Sequence, residues 1–83
     1  MTNDRFGTPL NIGDWVKVVA RSNKYNAHID NVGYVGEIVE VWEDGIQIEC
    51  LNGGIGAIDA NAVKRLDGKP SEADIFNNRY DRY

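Results

Sequence analysis

Short runs of alternating hydrophobic and polar residues dominate the body of this chain and predict β-strands. The alternation is strictest in 46–50, where Ile46, Ile48 and Cys50 share the face that we expect to point into a core. β-branched and aromatic residues enrich the other runs in the same way. The pattern therefore predicts five strands, at 15–20, 34–43, 46–50, 55–59 and 63–67.

Glycine-containing segments between these runs predict the connections. Asp44-Gly45 lies between two strands and is typical of a tight hairpin turn, whose central residues adopt positive φ angles. Ile38-Val39 and Val41-Trp42 break the alternation of the second strand, which predicts an irregular strand, and Gly33 and Gly36 at its beginning suggest a bend or a bulge. The polar residues 21–31 predict a long loop, and residues 59–62 predict a single helical turn before the last strand.

The length of 83 residues supports one small domain. We expect an N-terminal extension at 1–10, the five-stranded domain at 11–67 and a C-terminal segment at 68–83. Ser71, followed three residues later by Asp74, resembles a helix N-terminus, which predicts a short helix after Pro70 and then a mobile tail.

Composition gives little support for catalysis. The chain has one Cys and one His, which excludes an internal disulfide and a cysteine-cluster zinc site. We expect Cys50 to be buried and His28 to be solvated in the long loop, with no catalytic residue, metal or cofactor. No hydrophobic run approaches the roughly 18 residues of a membrane span, and residues 1–10 lack the apolar stretch of a signal peptide. The prediction is a cytoplasmic protein that is not an enzyme.

Three motifs within the strand pattern combine glycine with alternating hydrophobic residues: Gly13-Asp14-x-Val16-x-Val18, Gly33-x-x-Gly36-x-Ile38-x-x-Val41 and Gly45-Ile46-x-Ile48. With the helical turn and final strand at 59–66, they resemble a five-stranded SH3-like barrel of the KOW-like type over residues 11–67. The resemblance implies an all-β fold in which the first and last strands pair. It implies no single function, because this kind of barrel has many.

Two groups of proteins with similar barrels suggest what such a barrel does. KOW-like domains of transcription factors and ribosomal proteins contact RNA, DNA or polymerase. Similar small barrels serve electron-transfer complexes as accessory chains, for example in photosystem I and in ferredoxin–thioredoxin reductase, and dock their partners through surface charge. The opening residues 6–14 also resemble the start of small uncharacterised bacterial and bacteriophage proteins.

Charge is distributed unevenly along the chain, although the net charge is only −4. Residues 25–63 contain no Lys or Arg and carry a charge of −7, whereas residues 1–24 and 64–83 carry +2 and +1. The net charge argues against general attraction to nucleic acid. In a barrel, however, the acidic and basic segments are expected on opposite flanks, so each kind of partner has a candidate surface.

The leading hypothesis is a non-enzymatic protein-binding module or accessory subunit that docks a protein partner through an acidic hairpin. Neighbouring carboxylates repel one another and cost stability, which favours a function for them. The plainer interpretation is a solvated face that keeps the barrel soluble and protects its edge. The candidate partner-binding residues are Glu37, Glu40, Trp42, Glu43 and Asp44.

The alternative hypothesis is KOW-like binding of nucleic acid, or of a transcription or translation complex, through a basic flank. Pairing of the first and last strands would bring their basic residues together, and two tyrosines beside the long loop would offer stacking surfaces. The plainer interpretation is an ordinary mixed-charge surface. The candidate residues are Lys17, Arg21, Lys24, Tyr25, Tyr34, Lys64 and Arg65.

Both tryptophans, Trp15 and Trp42, fall at outward positions of the predicted strands. A small barrel cannot bury every large ring. We expect either that Phe6 or Phe76 covers Trp15, or that the tryptophans anchor an interface.

Overall fold

A computed structural model describes residues 2–25, 32–51 and 53–70 of the chain. Several predicted features lie outside these residues. They are the solvated His28, the second half of the long loop, the short helix after Pro70, Phe76 and the C-terminal tail.

Five antiparallel strands form one sheet, which confirms the all-β prediction. They are β1 (Trp15–Val18), β2 (Val35–Val41), β3 (Gly45–Cys50), β4 (Ile55–Asp59) and β5 (Val63–Arg65). Their order is β4-β3-β2-β1-β5, so the first and last strands do pair. The predicted helical turn is a 3₁₀ helix, Ala60–Ala62, between β4 and β5. Because β4 and β5 lie at opposite edges, the sheet is not closed into a barrel.

The pairing of β2 with β3 changes register at Val39. Ile38 lies opposite Ile48, whereas Glu40 lies opposite Gln47, so that Val39 is an extra residue, as in a β-bulge. The bulge lets Ile38 and Val41 both pack on the core, although they are three positions apart. The irregularity that the broken alternation at Ile38-Val39 predicts is therefore confirmed, whereas Gly36 lies in regular register with both neighbouring strands.

The glycines at the start of β2 are required for reasons other than a bulge. Gly33 has a φ of +102° and donates its N–H to the Val18 carbonyl at 2.8 Å, so it makes the turn into β2. Gly36 lies against the backbone of β3, where a side chain would not fit.

One face of the sheet carries the hydrophobic core. The predicted inward face of β3 is confirmed, and Val16 and Val18 of β1 are fully buried. Burial of each such aliphatic side chain contributes roughly 1.5–3 kcal/mol. The core residues are Leu10, Val16, Val18, Ile38, Ile46, Ile48, Cys50, Ile58, Ala60, Ala62 and Val63.

The N-terminal segment is attached to β5 through Asp4. The buried Asp4 carboxylate accepts backbone hydrogen bonds from Phe6 and Thr8, both at 2.8 Å, and from Arg65 at 2.7 Å. Arg5 N–H also donates to the Val63 carbonyl at 3.0 Å. Since a buried carboxylate needs such donors, Asp4 both shapes the N-terminal loop and joins it to the sheet.

We predict that Gly36→Ala lowers the free energy of unfolding by about 1–3 kcal/mol, as overpacking usually does. A Cβ at Gly36 would lie 2.9 Å from the Glu49 carbonyl oxygen and 3.2 Å from Cys50 Cα. The backbone of β3 would therefore have to move to accommodate it. Urea denaturation measures the loss. Gly68→Ala is the control, because a Cβ there meets nothing within 4 Å, and equal stability of the two variants would contradict the close approach.

Candidate functional site

A row of side chains crosses the sheet on the face opposite the core. Residues directly opposite one another in an antiparallel sheet share a face. Glu37 lies between Trp15 on β1 and Glu49 on β3, and Glu49 lies opposite Ile55 on β4. Two carboxylates therefore stand side by side at the centre of the outer face.

The bulge at Val39 brings Glu40 to the same outer face as Glu37. In a regular strand, residues three apart point to opposite faces. Here the extra residue places Glu37 and Glu40 on the same face, because Ile38 and Val41 both point inward and Glu40 lies opposite Gln47. We call Glu37, Glu40 and Glu49 the acidic face.

No carboxylate of the acidic face has an ionic partner within the part of the chain that the structure describes. Glu40 and Glu49 are exposed and Glu37 is half-buried. Like charges directly opposite one another, as Glu37 and Glu49 are, destabilise a sheet. Glu43, exposed in the turn that follows β2, accepts a hydrogen bond from the Thr2 hydroxyl at its backbone carbonyl, but its carboxylate has no partner among the described residues.

Asp44, at the tip of the β2–β3 hairpin, has two partners. Its carboxylate forms an ion pair with Lys24 and accepts a hydrogen bond from the Tyr25 hydroxyl at 3.0 Å. The hydrogen bond from Lys24 is the main cause that lowers the pKa of Asp44. The hydrogen bond from Tyr25 lowers it further. The same contact raises the pKa of Lys24. Asp44 therefore holds part of the long loop against the hairpin.

Tyr25 in turn packs on Trp42. Their ring centres are 5.8 Å apart with an angle of 35° between the planes. Trp42 remains 38% exposed, so the contact with Tyr25 covers its ring only in part. We call Lys24, Tyr25, Trp42 and Asp44 the hairpin-tip cluster.

Gly45 is required by this cluster rather than by the turn. The expected positive φ angles are wrong for this hairpin, since the described residues with positive φ are Gly7, Gly13, Gly33 and Gly53. A Cβ at Gly45 would instead overlap the ring of Tyr25. The Asp44-Gly45 pair thus indicates the hairpin correctly, although its glycine makes room for an aromatic ring.

Asp59, at the end of β4, positions the loop that carries Lys24 and Tyr25. Its carboxylate accepts backbone hydrogen bonds from Asn23 at 2.8 Å, from Lys24 at 3.1 Å and from Tyr25 at 3.3 Å. Partial burial opposes ionisation, but these bonds outweigh it and lower the pKa of Asp59. No local pattern in the sequence points to this contact, because 34–36 residues separate its partners.

The predicted basic residues occupy different parts of the molecule. Lys17 and Lys64 lie directly opposite one another on β1 and β5, although Lys17 is only 7% exposed. Arg65 contacts Asp14 with 3.1 Å between Nε and Oδ2, and Lys24 contacts the acidic hairpin. Lys17 also shares its face of the sheet with Glu37, so these charges lie in neighbouring rows rather than on opposite flanks. Arg21 is exposed, and Tyr34 packs against the core.

Trp15 is half-buried and lies under a C-terminal lysine. The Lys69 ammonium is 5.7 Å from the centre of the Trp15 ring, a cation–π distance. Phe6, one of the two predicted covers, is 65% exposed. Trp15 therefore has an intramolecular partner that the sequence pattern did not indicate.

Cys50 is buried on the core face of β3, as predicted. Burial raises the pKa of its thiol to about 11, so the thiol stays protonated at neutral pH. Within residues 2–25, 32–51 and 53–70, no group of three or more His, Cys, Asp or Glu side chains is arranged to hold a metal ion. None of the helical structure in these same ranges has the length and apolar character needed to cross a membrane.

We predict that Asp44→Ala shifts the fluorescence of Trp42 to longer wavelength, because Tyr25 loses its hydrogen bond and exposes the ring it covers. The measurement uses a Trp15→Phe background, since the chain has two tryptophans. Glu43→Gln is the control, because it removes a neighbouring charge that has no side-chain partner among the described residues. An unchanged Asp44→Ala spectrum would show that Asp44 does not position the cluster.

We predict that acid opens the hairpin-tip cluster only below pH 3.8, the ordinary pKa of Asp. A lowered pKa in the folded state contributes stability above that value, and the contribution is lost as the pH falls through the folded-state pKa. Trp42 fluorescence in the Trp15→Phe background should be constant from neutral pH to pH 3.8 and change below it. Asp44→Ala should reduce this acid change, and a transition above pH 3.8 would contradict the assignment.

Comparison with known proteins does not extend these findings. The chain matches no protein-family model, and neither curated proteins nor solved structures give a match to it.

Proposed function

We propose that this protein is a non-enzymatic binding module or accessory subunit that docks the basic surface of a partner protein on its acidic face. The observation that carries the proposal is the direct opposition of Glu37 and Glu49, with Glu40 beside them. No described residue supplies these carboxylates with a cation, and placing them side by side in this way costs the fold stability. A partner that supplies Lys or Arg side chains removes that cost.

The other acidic residues support this interpretation by contrast. Asp4, Asp14, Asp44 and Asp59 each bind backbone N–H groups or a cation within the molecule. The glutamates of β2 and β3 are not used in this way by any described residue. The acidic side chains that hold the fold together are thus separate from those left for a partner.

Trp42 is the proposed anchor at the end of the acidic face. Tryptophan is enriched among residues that dominate binding energy. Its ring is already held by Tyr25, so docking costs little conformational entropy. Asp44, which the sequence pattern included in the docking set, has the role of positioning this anchor.

We infer further that the fold is an SH3-like barrel of the KOW-like type. Three features support it: the strand order β4-β3-β2-β1-β5, the pairing of β1 with β5, and the one-turn helix between β4 and β5. Since β4 and β5 do not pair, the barrel of this proposal is an open one.

Binding of nucleic acid, or of a transcription or translation complex, is the second candidate. The pair Lys17 and Lys64 favours it. Against it, Lys24 and Arg65 already have carboxylate partners, and Lys17 is largely buried. The acidic face is therefore the better supported surface.

The docking proposal predicts that Glu40→Lys combined with Glu49→Lys abolishes capture of a basic partner from a lysate of the native host. Asp67→Lys is the control for a single charge reversal elsewhere on the surface, because Asp67 is exposed and lies beyond β5. Mass spectrometry identifies what the unaltered chain retains and the double variant loses. Equal capture by the unaltered chain and the double variant would overturn the proposal.

The proposal also predicts that Glu49→Gln raises the free energy of unfolding by up to about 1 kcal/mol, because it removes the repulsion from Glu37. Urea denaturation at low salt measures the gain, and added salt should diminish it. A loss of stability would mean that Glu49 serves the fold.

The nucleic-acid alternative predicts salt-dependent binding of RNA or single-stranded DNA. A fluorescence-anisotropy titration at low salt tests it. No binding by the unaltered chain, or binding that Lys64→Glu leaves unchanged, removes this alternative.

A further inference from the structure

The two edges of the sheet differ in how their backbone groups are used. At β5, Arg5 donates its N–H to the Val63 carbonyl at 3.0 Å, and Arg65 N–H donates to the Asp4 carboxylate at 2.7 Å. The N-terminal segment thus covers this edge. Edges that are not covered in such a way are templates for pairing with another chain.

At β4, alternation of hydrogen bonds determines which groups point outward. Cys50 N–H donates to the Gly54 carbonyl at 2.6 Å, and Ala60 N–H donates to the Asp44 carbonyl at 3.3 Å. Since bonded and non-bonded pairs alternate along an antiparallel ladder, Gly56 and Ile58 also bond to β3. The intervening residues Ile55, Ala57 and Asp59 therefore direct their N–H and C=O groups away from the sheet.

Only the end of this outer edge is occupied among the described residues. Asp59 N–H donates to the Ser22 hydroxyl at 3.2 Å. Ile55 and Ala57 have no such partner in residues 2–25, 32–51 or 53–70, and Ile55 is 47% exposed. Residues 53–58 also contain no Lys or Pro, the residues that commonly block an edge.

The open edge adjoins the acidic face. Ile55 lies directly opposite Glu49, and Glu49 lies directly opposite Glu37. A residue added opposite Ile55 would share the face of both carboxylates. From there, a Lys or Arg side chain can lie along Ile55 with its charged end toward Glu49.

We propose that β4 binds an extended, basic segment of a partner protein as an additional strand of the sheet. The backbone of the segment pairs with Ile55 and Ala57, and its alternate Lys or Arg side chains reach the acidic face. This is strand addition, in which backbone bonds give affinity and alternate side chains give specificity. The inference rests on the proposed docking function and specifies the form that the partner takes.

Charge complementarity favours a basic segment over a second copy of this chain. The chain carries a net charge of −4, and pairing β4 with β4 of a second copy would bring two acidic faces into one continuous sheet. Such like-charge juxtaposition opposes association.

The test uses a synthetic peptide of alternating Val and Lys, with a Val–Glu peptide as the reference. We expect the basic peptide alone to bind, and to slow hydrogen exchange of the Ile55 and Ala57 amides. Ala57→Pro should weaken binding by about five- to tenfold, because it removes an outward N–H that no described residue accepts. Proline is tolerated at such an edge position, and Ala57→Val is the control that keeps the N–H.

The outcomes separate the two proposals. If Glu49→Gln weakens binding but Ala57→Pro does not, and the two amides remain unprotected, strand addition is overturned while docking on the acidic face stands. If neither peptide binds, strand addition is overturned, and the lysate capture decides the docking function independently. If sedimentation shows a dimer that Ala57→Pro dissociates, a second copy occupies the edge and the proposal of a basic segment is wrong.

Discussion

The extra residue at Val39 is the constraint on which both faces of the sheet depend. β2 pairs with β1 on one side and with β3 on the other, so a change in its register affects the centre of the molecule. The bulge turns Ile38 and Val41 to the core and thereby turns Glu37 and Glu40 to the outer face. A regular strand would bury a carboxylate or expose an aliphatic side chain, and both are costly.

Aspartates and glutamates have different structural roles in this molecule. The short aspartate side chain reaches nearby or converging backbone N–H groups, as Asp4 and Asp59 do, and so fastens loops to the sheet. The glutamates of β2 and β3 stand on the pleated outer face, where their backbones are already paired. The same charge therefore stabilises loops in one setting and creates a repulsive, accessible surface in the other.

The hairpin-tip cluster connects the aspartates that hold loops with the acidic face. Asp59 orders the backbone of residues 23–25, Asp44 receives the side chains of Lys24 and Tyr25, and Tyr25 holds Trp42 beside the acidic face. Both carboxylates therefore hold residues 23–25 against the sheet, Asp59 through backbone N–H groups and Asp44 through side chains. The outer edge of β4 ends at Asp59. This residue therefore contacts both the loop that positions the proposed anchor and the end of the proposed strand-addition site.

The sequence by itself determined the five strands, the position of the hairpin at Asp44-Gly45, the inward face of β3 and the burial of Cys50, because these follow from residue patterns within a few positions. It also indicated that β2 is irregular near Ile38-Val39, although only the pairing with β3 shows that Val39 is the extra residue. Tertiary structure alone decided that Lys24 meets Asp44, that Asp4 and Asp59 fasten distant segments, that Glu37 faces Glu49 and that the N-terminal segment covers the β5 edge. The physical reason is that these contacts join residues 12 to 61 positions apart, and which distant groups meet is set by strand order and register rather than by any local pattern.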